Sequence, residues 1–315
     1  MEKFIRIRFY LLRTVITKEI NNLTLKMIKM KLLLFLLLVT FSSFSQEVFI
    51  SGDVIDKEQK PIAYSNVVAL NKKVGTFSDE NGKFNFKLGD LLDSDIIEFS
   101  CLGYITKQIP VKELKNGIAK ISLIEAVEKL DEVVLYTKKI KTYVKGKTRT
   151  NTSDMVRFSS SFRESVWNEP GYEIGRKFKL GTKKASYLKE FSFYIKKNTF
   201  QKTILEINIY KIKDNKPFQN INSSSIIVTV DNEFTGWKIV DLSDFDIYVK
   251  EDIIITVEYI KAEPTCYEQP GNCGLFFPYI YPTIATPPMY TKQGILDEWE
   301  IRKGESITMI LTYKK

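Results

Sequence analysis

The 315-residue chain is 44% hydrophobic and 13% aromatic, enough apolar material for about two cored domains. It contains no histidine, which excludes Ser-His-Asp triads, His-ligated zinc and imidazole acid–base pairs. The formal net charge of +9 does not call for a nucleic-acid partner, because residues 1–46 hold eight Lys/Arg against two Glu and the remainder is 39 basic against 36 acidic.

Residues 1–45 read as a leader. "KMKLLLFLLLVTFSSFSQ" has a basic start at Lys29 and Lys31, an apolar run Leu32–Phe41, and Ser43 and Ser45 before the expected cut that leaves Gln46 first. A run of about ten residues is too short to span roughly 30 Å of hydrocarbon as a helix. No cysteine lies near the cut, which argues against a lipoprotein anchor. The long basic stretch upstream places the expected translation start at Met27 or Met30. The chain is therefore expected to be exported, to the periplasm or the outer-membrane surface.

Residues 46–136 carry short strands punctuated by turns: "VFISGDVID", "SNVVAL", "GTFSDENGKFNFKL", "DIIEFSCLGY", "TKQIPV" and "AKISLIEA". About seven strands with turn signals every 8 to 12 residues predict a small antiparallel sandwich. In "SDENGKF", Asp79 is placed to accept backbone N–H groups ahead of it, Gly82 to supply a positive φ, and Phe84 to enter the core. Asp79, Glu80 and Asn81 lack the spaced ligands and closing bidentate acid of a calcium loop, so a structural turn is expected. Cys101, in an apolar strand, is expected to be a buried small hydrophobe.

The series Gly52, Val54, Asp56, Pro61 to Val67, Gly75-Thr76, Asp79, Gly82, Phe84, Ser100, Gly103 and Tyr104 resembles the carboxypeptidase-regulatory-like domain. That is a transthyretin-like sandwich found at the front of exported Bacteroidetes proteins, and the resemblance covers about residues 47–126. Ser78 stands where the family has Thr and keeps the hydroxyl. The resemblance is to a non-catalytic accessory domain of metallocarboxypeptidases, and with no histidine a zinc peptidase is not expected. "LDEVVL", Leu130–Leu135, is similar to the segment that introduces the plug and barrel of Bacteroidetes TonB-dependent receptors. The strands after it read as a soluble sandwich instead of long lipid-facing ones, so the segment is expected to be a closing strand able to pair with a sheet edge.

Residues 137–154 read as a basic linker, with Lys138, Lys139, Lys141, Lys145, Lys147 and Arg149 and no acid among them up to Arg149. Peripheral contact of this linker with an anionic membrane surface is a second reading.

Residues 155–315 predict a jelly-roll-like β-sandwich of about eight strands, so the whole fold is expected to be all-β. In "ILEINIYKI", Leu205, Ile207, Ile209 and Lys211 share one face and Glu206, Asn208 and Tyr210 the other. Trp237 and Leu242 are expected to face the core, and Asp241 and Ser243 to form a turn. This half resembles an uncharacterised β-domain that accompanies the same first domain in exported proteins.

The segment Cys266–Tyr290 holds the aromatics Tyr267, Phe276, Phe277, Tyr279, Tyr281 and Tyr290 among prolines that predict a long loop at a sheet end or edge. These rings are the candidate ligand-binding residues, suited to stacking on a glycan or anchoring a protein, or else to covering the end of the sandwich. Cys266 and Cys273 bracket "YEQPGN", a turn that can bring the two sulfurs together; the pair is open between a disulfide and two thiols. No catalytic residue, metal ligand or cofactor is assigned. A glycosidase needs only two carboxylates; Glu206 and Glu258 fall within strands, where acids are expected to be solvated, and Asp297, Glu298 and Glu300 in a loop. The expected function is a non-enzymatic cell-envelope module binding a glycan or protein. The alternatives are a two-carboxylate envelope hydrolase and a transport partner that lends "LDEVVL" to another protein's sheet.

Overall fold

The computed structural model describes residues 26–33, 49–72, 74–87, 89, 91–115, 119–126, 140–157, 171–181, 184–264, 274–280 and 287–315. The expected cut after Ser45, the "LDEVVL" segment, Cys266, Cys273, Tyr267 and Tyr281 lie outside them, as does the Tyr279 side chain. Residues 26–33 are helical and exposed. Among the described residues no helix is long and apolar enough to cross a membrane. Phe49–Lys315 forms one unit and is all-β.

Strands are numbered along the chain. In the first sandwich β4 (Lys83–Lys87), β1 (Phe49–Ile55) and β8 (Ala119–Ser122) make one sheet. The other is β3 (Val74–Phe77), β2 (Asn66–Ala69), β5 (Ile96–Ser100) and β7 (Lys107–Pro110), and β6 (Tyr104–Ile105) pairs with β9 (Ile124–Glu125) as a ribbon. Alternation sends Ile50, Val54, Phe84 and Phe86 inward to meet Val67, Ala69, Ile97 and Phe99. The pairing is not wholly antiparallel as the sequence predicts: Gly52–Ile55 runs parallel to Ala119–Ser122. The intervening strands supply the long crossover that a parallel neighbour requires.

The corner between β3 and β4 forms as its residues dictate. Asp79 Oδ1 accepts the N–H of Asn81 at 2.8 Å and of Lys83 at 2.9 Å, and Gly82 adopts φ 72°. A Cβ at Gly82 would lie 2.5 Å from the Val54 carbonyl oxygen, so no other residue fits without movement. Ser78 Oγ donates to the Ile62 carbonyl at 2.9 Å and accepts the Ser65 N–H at 2.8 Å, which is the use made of its hydroxyl.

In the second sandwich one sheet is β10 (Thr142–Gly146), β25 (Met309–Lys314), β13 (Ser186–Ile195) and β18 (Gly236–Asp241), with β19 (Tyr248–Val249) also on β13. The facing sheet is β16 (Lys216–Asn220), β15 (Phe200–Lys213), β20 (Ile253–Pro264), β12 (Glu173–Phe178), β22 (Met289–Lys292) and β23 (Glu300–Arg302), with β17 (Ile227–Asp231) also on β15. Leu188, Phe191, Phe193, Leu311 and Val240 of the first sheet pack on Leu205, Ile207, Ile209, Ile255 and Ile174 of the second. A small third sheet joins β11 (Met155–Arg157), β21 (Leu275–Ile280) and β14 (Lys197–Asn198), with β24 (Ser306–Ile307) on β21.

Three expectations are corrected here. Part of the basic linker is sheet: Tyr143 lies opposite Tyr313 in β10–β25, and their rings stack at 5.4 Å. Part of the expected proline loop is also strand. Pro278 sits opposite Met155 within β21, where it needs no N–H because its carbonyl alone is used, accepting from the Thr308 N–H at 3.4 Å. Trp237 does not face the core; it is half-buried on the other face of β18, edge-on to Tyr194 across the strand pair, while Leu242 is buried as expected.

Candidate functional site

Of the aromatic candidates, the side chains of Phe276, Phe277 and Tyr290 are described, and the fold closes off two of them. Phe277 and Tyr290 are fully buried at 0% exposure, Phe277 in the main core with its ring 5.8 Å from Phe193. Neither can stack on a ligand, which requires an open ring face. Tyr290 instead donates its hydroxyl to Asn215 Oδ1 at 3.4 Å. Phe276 is half-buried under the Arg157 guanidinium, 5.8 Å from its ring centre.

The densest polar chemistry among the described residues lies on the outer face of the β15–β20–β12–β22 sheet. Strand register sets four side chains in a row: Glu206 opposite Glu258, Glu258 opposite Glu173, and Glu173 opposite Lys292. Period-two alternation puts them on one face, since Leu205, Val257 and Ile174 beside them point into the core. Directly opposed residues bring their Cβ atoms to about 5 Å.

The acids are not solvated as the sequence suggests. Glu173, Glu206 and Glu258 are exposed by only 0%, 6% and 7%. Two elements cover them. Trp299 lies edge-on to Tyr210 with ring centres 5.6 Å apart, and Lys292 Nζ is 5.4 Å from the Trp299 ring centre. At the other end the first sandwich closes over the row: the Cys101 thiol interacts with Ser65 of its own sandwich and with Ser225 of the second, and Ser225 hydrogen-bonds Glu206. Nearby, a Cβ at Gly75 of β3 would lie 3.0 Å from Ile295 Cδ1, so the missing side chain lets the two sandwiches approach.

The network is dense but uneven. Glu173 forms an ion pair with Lys292 and accepts hydrogen bonds from Thr256 Oγ1 at 2.7 Å and the Tyr210 hydroxyl at 3.1 Å. Glu258 accepts from Asn208 Nδ2 at 2.7 Å, and Asn208 Oδ1 accepts in turn from Asn220 Nδ2 at 2.8 Å. Glu206 Oε1 has no hydrogen-bond partner among the described residues. Three carboxylates thus share one ammonium.

Electrostatics follow from that ratio. Burial, with the Glu173 charge adding to it against the Ser225 hydrogen bond, pushes Glu206 up to about 7. Burial and Glu173 hold Glu258 well above the usual carboxylate range, Lys292 opposing them. Burial works against the Lys292 charge, but Glu173 and Glu258 outweigh it and raise its pKa. Burial, then Glu173 and Glu258, push the Tyr210 phenol well up. Burial also raises the Cys101 thiol, with Glu206 adding to it, which disfavours the thiolate. Among the described residues no group of His, Cys, Asp and Glu is arranged to hold a metal ion.

Sequence reasoning placed Glu206 and Glu258 within strands without pairing them, and missed Glu173 and Lys292. The available signal was the alternation of acid, small and basic residues in "EIGRKF" and "MYTK", which reads equally as a solvated face.

Residues 50–135 match the family described as CarboxypepD_reg-like domain. The TonB-dependent receptor SusC of Bacteroides thetaiotaomicron is 32% identical over 97 residues, covering 31% of this chain and 9% of the receptor. The TonB-dependent receptor P39 of Formosa agariphila is 30% identical over 110 residues, covering 33% of this chain and 10% of the receptor. The matched segment thus spans about a tenth of either receptor. Among solved structures, the cysteine protease and lectin-like domains of Cwp84 from Clostridium difficile superpose with TM-score 0.34 at 10% identity, over 52% of this chain and 36% of that one. The infectious bursal disease virus Gx strain gives TM-score 0.25 at 10% identity, over 84% and 64%. Scores this low carry no argument about activity. Residues 50–135 of this chain are a CarboxypepD_reg-like domain, set ahead of a second β-sandwich.

Proposed function

We propose that the chain is a non-enzymatic, exported cell-envelope protein in which the two sandwiches form a binding module for another envelope protein. The observation that carries this is the sealing of Glu206 and Glu258. A hydrolase needs its two carboxylates open to substrate on both sides of the scissile bond, and these two face a row of side chains beneath the first sandwich. The leader pattern expected from the sequence and the similarity of the first domain to TonB-dependent receptors support the envelope location. A protein partner is preferred to a glycan because the burial of Phe277 and Tyr290 removes two rings from the aromatic platform that a sugar would stack on.

The test uses the chain from Gln46 onward, purified and probed in parallel for glycan binding, for turnover of polysaccharide and peptide substrates, and for cross-linking to envelope proteins in the native host. Saturable cross-linking without turnover supports the reading. Turnover that disappears in Glu258→Gln reinstates the hydrolase.

The receptor similarity favours one narrower version, in which the partner belongs to a TonB-dependent transport system and "LDEVVL" contributes a strand to it. Deleting Leu130–Leu135 should then abolish the cross-link while leaving thermal unfolding unchanged.

A further inference from the structure

The first sandwich is open along one side. Among the described residues β3 is paired only with β2, and β4 only with β1, so each is the last strand of its sheet. The Asp79 corner joins them and splays their free edges around a cleft of about 810 Å³, whose other wall is Ile260 and Lys261 of β20. An edge strand presents unpaired N–H and C=O groups at alternate residues, which is the template a further strand requires. The Lys83 N–H and C=O at the start of β4 already bond Asp79, so the open edge is that of β3, whose four residues offer about 14 Å at about 3.4 Å per residue.

The cleft has a distinct chemistry. Phe49 and Val74 line it and are 46% and 47% exposed, so the cleft offers two open apolar side chains. Lys72, Lys83 and Lys261 line it as well, and none of the three is in an ion pair among the described residues. Among the described lining residues Asp79 is the single acid, and its Oδ1 is already committed to two backbone N–H groups. Lysines on an edge repel neutral and basic strands by keeping their charge solvated; an acidic strand reverses the sign and is the one they favour.

We propose that this cleft takes an extended acidic segment of a partner protein as an added strand, with alternate residues supplying apolar side chains for Phe49 and Val74 and carboxylates for the lysines. The assignment rests on the reading of the chain as a protein-binding module and names where and what it binds.

Fluorescence anisotropy of the chain from Gln46 onward with the labelled peptide DVEVDVEV tests it, against KVKVKVKV and against DVEVDVEV N-methylated at alternate amides. The acidic probe should bind, at least about tenfold more tightly than either control, and Lys83→Glu or Lys261→Glu should each weaken it about fivefold with unchanged circular dichroism. Both sites are exposed, so these variants fold. Equal binding of the acidic and basic probes, or indifference to N-methylation, overturns the proposal. So does tighter binding of the chain's own "LDEVVLY", residues 130–136, which would make the occupant a copy of this chain. A cross-link to an envelope protein that survives Lys83→Glu and Lys261→Glu would retain the binding-module reading and remove the cleft from it.

Discussion

Glu206 and Glu258 lie directly opposite one another on neighbouring central strands, both buried, while the one ion pair in their row joins Glu173 to Lys292. Three acids around one base is an arrangement that an isolated sheet face would relieve by hydration. Here the first sandwich and Trp299 prevent it.

Stability should fall as pH rises through the weakly acidic range. The folded Glu206 carboxyl holds its proton up to about 7, whereas its ordinary value is 4.5. Between those values the folded state binds more protons than the unfolded state, so raising the pH favours unfolding, and the loss is complete above about 7. Glu258 shifts in the same direction. The unfolding free energy from urea titration should be higher at pH 5 than at pH 8, by on the order of 3 kcal/mol from Glu206 alone. Glu206→Gln, which keeps a partner for Ser225, should flatten that slope; an unchanged slope would refute the assignment.

Lys292→Met should be severely destabilising at pH 8. It leaves Glu173 buried beside Glu258 with no cation, and removing one partner of a buried pair costs about 3 to 5 kcal/mol. The deficit should shrink at pH 5, where Glu206 and Glu258, both raised by burial, hold their protons, which equilibrium urea unfolding at both pH values will show.

Gly75→Leu should loosen the contact between the sandwiches. Its Cβ meets Ile295 at 3.0 Å, Val68 Cγ2 at 3.1 Å and the Val67 carbonyl at 3.2 Å, and overpacking of this kind costs about 1 to 3 kcal/mol. Cys101, which bridges toward Ser225, should then react faster with a thiol reagent. Equal labelling rates in the variant and the parent would show that the glycine is not what permits the approach.

Arg176→Met should be neutral or stabilising by about 1 to 4 kcal/mol. Arg176 is buried, its pKa lowered to about 10 by burial, with Nη1 donating to the Ile307 carbonyl at 3.4 Å and Nε without a partner among the described residues. The guanidinium lies over Phe178, 5.4 Å from the ring centre, so a methionine fits the same apolar surroundings. A marked drop in melting temperature would mean that the charge has a function the contacts do not reveal.

The parts legible in the sequence were those whose causes are local. Asp79, Gly82 and Phe84 make their turn and core contact within a few residues of one another, so their order alone predicts the geometry. Leu205, Ile207 and Ile209 were legible because alternation is a local rule. The burial of Glu206 was not, since it depends on Ser225 and on Cys101, which is more than a hundred residues away in the chain. The strand position of Phe277 was not legible either, since Pro278 beside it argues for a loop. The proline's position at the end of a three-residue pairing, with only its carbonyl engaged, could be known only from where Met155 and Thr308 lie.

The parallel pairing of β1 with β8 sets a schedule for folding. Ile55 is bonded alongside Ser122, so the first strand of the sandwich to leave a ribosome or a secretion channel completes its sheet only when nearly the last one arrives. Until then its other edge is bare, and loop closure over that span makes the step slow. β1 therefore keeps an unpaired edge until Ala119–Ser122 is free to dock, and the closing of this sheet waits on the far end of the domain.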